Sequence, residues 1–176
     1  MNEQLNKVHE FLMFIIEPIL AILAALLISH FLMAHTTIPT GSMIPTININ
    51  DHMIINRIPY YYRNPERGEL VIFRYEGQNL IKRVVGMAGD IIDMEGGRVY
   101  INGEEFDELE YINTPNTTYP QFIKYPYTVP ENSYFVMGDN RENSGDSRSF
   151  GAVTRADIIA TGGYRIYPFN NLGWVR

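Results

Sequence analysis

The segment from Phe11 to Ala34, FLMFIIEPILAILAALLISHFLMA, constrains the fold most, because Glu17 and His30 are its only ionisable members. An apolar run of this length has to be covered by protein or by lipid. As a helix its 24 residues span roughly 36 Å, against a bilayer hydrocarbon core of about 30 Å. A cleavable export signal has a shorter apolar core behind a positive start. Here Lys7 is offset by Glu3 and Glu10. The pattern therefore predicts an uncleaved transmembrane anchor over 11–34, behind a short tail over 1–10. Lys7 is the only Lys or Arg before Arg57, which puts the tail in the cytoplasm and the rest of the chain on the extracytoplasmic face. Glu17 precedes Pro18, and a helix proper starting at Pro18 would leave that carboxylate at the headgroups as a first-turn acid. A functional intramembrane acid is the alternative.

Beyond the anchor, 35–176 carries no long stretch with helical period. Short runs rich in Val, Ile, Tyr and Phe, bounded by Gly, Pro and Asn, predict a mainly β domain. Strands are expected at His52 to Ile58, Glu69 to Tyr75, Asn79 to Met87, Asp90 to Met94, Arg98 to Ile101, Tyr134 to Met137 and Ile158 to Tyr167. Asn102-Gly103 signals a hairpin leading into Glu104 to Phe106, and Glu95-Gly96-Gly97 marks a turn just upstream. The Pro-, Tyr- and Thr-rich region from Tyr111 to Pro130 has no clean period and reads as a long ordered excursion capping the main sheet. A net charge of -6 gives no positive field to concentrate nucleic acid, and the absence of cysteine removes disulfides, thiolate metal sites and a cysteine nucleophile together.

Three segments carry chemistry. In Ile38-Pro39-Thr40-Gly41-Ser42-Met43-Ile44-Pro45-Thr46, two prolines stiffen the chain around a small hydroxyl residue. A serine among turn formers is most often part of a turn, yet one in a rigid segment can present its hydroxyl. Ser42 follows Ala34 by 8 residues, at most about 28 Å of extended chain, so it works near the membrane surface.

The second segment, Leu80-Ile81-Lys82-Arg83-Val84-Val85-Gly86-Met87-Ala88-Gly89-Asp90, embeds a lysine in an apolar strand. An ordinary lysine is neutral to only about one part in a thousand at pH 7.4, too little for a base. Desolvation by Leu80 and Val84 on the same face would lower its pKa. An edge-strand lysine reaching water is the plain alternative. The third, Gly138-Asp139-Asn140-Arg141-Glu142-Asn143-Ser144-Gly145-Asp146-Ser147-Arg148, is a dense polar loop after a β run. A calcium loop starting at Asp139 fails, because positions 3, 6 and 12 are Arg141, Ser144 and Phe150. Interlocking Asp, Asn, Arg and Ser groups that support a site remain.

These segments, in this order behind an anchor, resemble the conserved boxes of type I signal peptidases in their short single-anchor form. Arg67-Gly68-Glu69-Leu70-Val71-Ile72-Phe73 resembles a fourth box that commonly has Gly-Asp, from which Glu69 departs. The resemblance implies an antiparallel β catalytic domain with a small cap, here around 93–131, on one membrane helix. It implies Ser42 as nucleophile, Lys82 as general base and Ser144 as the hydroxyl orienting the amine. Thr40 would supply a side-chain oxyanion donor beside the backbone N–H of Ser42, although a β-branched residue stiffening a Pro-flanked strand explains it equally. Asp146 and Arg148 match a supporting ion pair, Asp139 and Arg141 the loop framework. Ile38, Met43 and Ile81 are expected at shallow pockets for small side chains such as Ala. The expected partners are signal peptides of exported preproteins and membrane lipid, without nucleic acid, metal or cofactor. Two other readings share these residues: a Ser-Lys autopeptidase of the repressor type, which the membrane span disfavours, and a membrane-anchored β module that binds a partner without chemistry.

Overall fold

The structure is a computed structural model describing residues 2–31 and 33–175. Met1, Leu32 and Arg176, assigned above to the tail, the anchor and the β domain, lie outside the described residues.

Helix α1 runs over Asn2–Phe31 with Pro18 inside it, so it does not begin at Pro18 as expected. Pro18 removes one backbone donor, but a long run of strong helix formers on both sides outweighs that loss. Residues His9–Leu27 are long and apolar enough to cross a membrane, and the side chains from Phe11 to Leu27 are exposed. Glu17 lies within this span and not at its edge. The anchor also stops short of the expected end: Ala34 belongs to strand β1, Met33–Thr37.

The chain continues through β2 (His52–Asn56), α2 (Ile58–Tyr62), β3 (Leu70–Tyr75), β4 (Gln78–Gly86), β5 (Ile91–Glu95), β6 (Arg98–Ile101) and β7 (Glu104–Glu105). It then forms β8 (Tyr127–Thr128), β9 (Ser133–Met137), α3 (Ser147–Phe150), β10 (Val153–Thr154), β11 (Ile158–Thr161), β12 (Gly163–Tyr167) and β13 (Gly173–Val175). The strands build three antiparallel sheets, ordered β1-β2-β12-β13, β10-β9-β4-β3-β11 and β7-β6-β5-β8.

Two expected strands change character. His52 to Ile58 ends at Asn56, whose side chain accepts a 3.0 Å hydrogen bond from Ile58 N and turns the chain into α2, with Pro59 in the first turn where its missing N–H is harmless. Ile158 to Tyr167 is two strands, because Gly162 adopts φ +59 between them. Its left-handed backbone makes a corner, so β11 pairs with β3 while β12 pairs with β2 in another sheet. The hairpin at Asn102-Gly103 forms as its sequence predicts, with φ of 55 and 86.

Strand β9 is buried at all five positions. Side chains alternate across a strand: Tyr134 and Val136 join the cluster of Val71, Phe73, Val84 and Ile158, while Phe135 and Met137 join Val85, Ile92, Val99 and Val129. The second cluster glues the small β5–β8 sheet onto the central one. The expected excursion from Tyr111 to Pro130 ends in strand β8; the stretch between β7 and β8, 106–126, crosses the polar loop and is tied to it by a buried ion pair between Glu108 and Arg141. Arg141 also donates to Thr118 Oγ1 at 2.7 Å, and Asn113 N donates to Asp139 O at 2.9 Å.

Removing one partner of a buried ion pair strands the other charge, a cost of about 3 to 5 kcal/mol. Glu108→Ala is therefore expected to lower the Tm of the full chain in detergent by about 10 °C. A Tm within a degree or two of the parent would show that the excursion is held by its other contacts.

Candidate active site

Ser42 sits in the bend between β1 and β2. The bend is fastened at its base, where Ile38 N donates to Asp51 O at 3.0 Å and Asn50 N to Ile38 O at 2.8 Å. Its apolar residues Met43 and Ile47 sink into a cluster with Ile38, Met53, Leu70 and Val175, leaving Ser42 half-buried above them. The polar loop holds the other side: Asn140 N donates to Ser42 O at 3.1 Å and Asn140 Nδ2 to Gly41 O at 3.0 Å.

Lys82 lies on β4 opposite Val71 in register and is only 3% exposed. Its Nζ stands 2.8 Å from Ser42 Oγ and donates to Ile81 O at 2.9 Å. Burial pulls the amine down, Asp146 and Asp139 pull it back by smaller amounts, and the balance leaves it at about 8. Each of these carboxylates is already paired with a guanidinium. Arg83 binds Asp139 through Nε–Oδ1 at 2.9 Å and Nη2–Oδ2 at 2.7 Å; Arg148 binds Asp146 through Nε–Oδ1 and Nη2–Oδ2, both at 2.8 Å.

The other expected residues fall as follows. Thr40 Oγ1 is 3.5 Å from Ser42 Oγ, at the exposed edge of the bend. Asp146 and Arg148 form the expected ion pair, and Asp146 also caps α3 and accepts from Gly138 N at 3.0 Å. Asp139 and Arg141 share the loop without pairing to each other: Asp139 takes Arg83 and Thr46, Arg141 takes Glu108 and Gly138 O. Ser144 makes no hydrogen bond to Lys82; its Oγ is buried without a partner beside Gly138. Ile38, Met43 and Ile81 line one groove with Ser42 and Lys82, of about 200 Å³. That is below the roughly 300 to 1,000 Å³ of pockets for drug-sized ligands, and suits small side chains.

Sequence reasoning passed over Arg83, Asn140, Thr46 and Glu108. Arg83 had a signal, a second cation next to a lysine in an apolar strand. Glu108 had none, because nothing in a run of acidic residues tells which one folds back onto Arg141.

An amine base touching a serine hydroxyl beside a narrow groove can perform acyl transfer without metal or histidine. The family described as signal peptidase, peptidase S26, matches residues 11–167. Signal peptidase I of Leptolyngbya laminosa is 38% identical over 164 residues, covering 88% of this chain and 78% of that protein. Signal peptidase I S of Bacillus subtilis strain 168 is 33% identical over 178 residues, covering 97% of each. A solved signal peptidase I from Enterococcus faecalis is 31% identical with a TM-score of 0.48, covering 56% of this chain and 96% of that one. The chain belongs to the signal peptidase family of S26 peptidases, serine proteases that cleave signal peptides from preproteins. It is accordingly a hydrolase, a serine endopeptidase with a mainly β catalytic fold behind one apolar N-terminal helix.

Gly138 lets the loop lie against the bend: a Cβ there would stand 2.2 Å from Ser144 Oγ and 2.5 Å from Ser42 O. The backbone oxygen cannot yield without moving Ser42. Gly138→Ala is expected to cut kcat by about 10²-fold or more, since displacements of about 1 Å cost that much. The accompanying loss of stability is about 1 to 3 kcal/mol from overpacking. Parent kinetics in this variant would mean the loop position is irrelevant to the site.

Proposed function

We propose that this chain removes signal peptides from exported preproteins at Ala-x-Ala sites, with Ser42 as nucleophile and Lys82 as general base. The observation that carries the reading is the 2.8 Å contact between Lys82 Nζ and Ser42 Oγ, made by an amine whose burial brings it to about 8. At neutral pH a usable fraction of such an amine is unprotonated, and the same contact then runs in reverse, with the serine hydroxyl donating to the amine.

In the first step Ser42 Oγ attacks the scissile carbonyl carbon as its proton passes to Lys82 Nζ. The oxyanion of the tetrahedral intermediate is met by the backbone N–H of Ser42 and the hydroxyl of Thr40. Lys82 then gives its proton to the leaving amine, the new N-terminus of the mature protein, leaving the signal peptide esterified to Ser42. A water deprotonated by Lys82 attacks the ester, and collapse restores the serine. Ser144 orients the amine after a small side-chain rotation. Its buried, unpartnered oxygen supports this, because such a hydroxyl gains by finding an acceptor or donor. Asp139, Asp146 and their arginines hold the loop behind the amine.

The substrate lies extended along the groove, with small side chains over Ile38, Met43 and Ile81. The groove wall begins at Ala34, three residues past the end of α1, so a signal peptide leaving the bilayer meets the site directly. The helix serves as a single-pass anchor, the tail cytoplasmic and the β domain extracytoplasmic.

The test is to incubate the full chain in detergent with a peptide carrying an Ala-x-Ala site. Cleavage after the second Ala is expected, with Ser42→Ala and Lys82→Ala falling to background while their Tm is kept. A parent protein that binds the peptide without cutting it would favour a binding module, and activity in Ser42→Ala would remove the nucleophile. Thr40→Val tests the oxyanion donor: it keeps the shape and loses the hydroxyl, so kcat should drop by about 10² to 10³ with KM little changed, while Thr40→Ser stays near parent. A fully active Thr40→Val enzyme would leave Thr40 a stiff strand residue.

A further inference from the structure

One residue grips two consecutive carbonyls at the nucleophile. Asn140 is separated from Gly41 by 99 positions in sequence, yet its Nδ2 donates to Gly41 O at 3.0 Å and its own N–H donates to Ser42 O at 3.1 Å. The amide orientation is fixed by chemistry: a carbonyl can only accept, so the side-chain nitrogen must face it. Asn140 is itself held, accepting at its carbonyl from Asn143 N at 3.1 Å in a tight turn. Its neighbour Arg141 is anchored to Gly138 O and to buried Glu108.

The consequence runs through peptide geometry. The Gly41–Ser42 peptide is trans, and in a planar trans peptide the C=O and N–H point to opposite sides. Holding Gly41 O towards the polar loop therefore turns Ser42 N–H away from that loop. We infer that Asn140 is a positioning residue for the oxyanion site: through Gly41 O it aims the Ser42 N–H at the oxygen of the scissile carbonyl. This rests on the assignment of Ser42 as nucleophile and adds a residue that touches neither substrate nor proton. Fixed donors matter most when charge develops on that oxygen, so the contribution of Asn140 belongs to the transition state and not to substrate binding. Without the side chain, Gly41 O keeps only the longer 3.3 Å bond from Ile44 N, and glycine has the widest choice of backbone angles for its peptide to turn.

The test compares Asn140→Ala with the parent on one Ala-x-Ala peptide, using full chain in detergent. Asn140→Ala keeps the backbone clamp on Ser42 O and loses only the grip on Gly41 O. The expected result is a fall of about 10- to 10²-fold in kcat with KM within about twofold, as for a misdirected oxyanion donor. Asn140→Asp, of the same shape but with an acceptor facing the carbonyl, should fall at least as far. A purely structural role is separated by a second readout. A peptide aldehyde of the same sequence forms a tetrahedral adduct with Ser42, and its affinity should drop by the same factor as kcat/KM. Binding of the uncleaved peptide in a Ser42→Ala background should not change with Asn140→Ala. If the parent cleaves and Asn140→Ala keeps kcat within about twofold, or loses activity with aldehyde affinity intact, the inference is wrong. If the parent cleaves no such peptide, the Ser42 assignment fails first.

Discussion

Lys82 is held between two opposing influences, and the surrounding structure can be understood as the means of balancing them. Burial favours the neutral amine, while Asp139 and Asp146 favour the ammonium. Unpaired buried carboxylates near an amine would favour its charged form more strongly. Each carboxylate is instead paired with a bidentate arginine. Arg83 reaches Asp139 from the same strand as Lys82, and Arg148 reaches Asp146 from the first turn of α3. The guanidiniums also keep the carboxylates satisfied inside the protein, where a lone charge would cost several kcal/mol.

The same ion pairs tie separate stretches of chain into one site. Asp139 accepts from Thr46 in the Ser42 bend as well as from Arg83 on β4, and Arg148 donates to Arg141 O, which in turn is clamped to the excursion through Glu108. Ser42, Lys82 and the polar loop thus come from three segments that meet through buried polar contacts, with the apolar clusters filling the space around them. Such a network has to be nearly complete to be stable, which explains why Arg141 and Arg148 are among the largest fully buried side chains.

How much of this could be read beforehand depended on the range of the interaction. Ser42, Lys82 and the loop residues stood out because each breaks a local pattern, a hydroxyl between prolines, a cation in an apolar strand, a polar cluster after a β run. The Asn102-Gly103 hairpin was equally visible, since two positive φ angles are a local demand. The corner at Gly162 was hidden, because an Ile- and Tyr-rich run with glycines inside it looks like one strand until its two halves find different partners. Pro18 misled for a related reason: its local preference for a helix start yields to the apolar run on either side. Glu108 and Asn140 act across 33 and 99 positions of sequence, and no local pattern announces such contacts.

The central claim is that Lys82 is a base made usable by burial, and the dependence of kcat/KM on pH reads it directly in the free enzyme. A neutral amine is the active form, so the rate must rise as pH rises through its pKa. With a signal-type peptide and the full chain in detergent, the account predicts a rising limb with its midpoint near 8. A midpoint near the ordinary lysine value of 10.5 would contradict it, and would return Lys82 to a structural part.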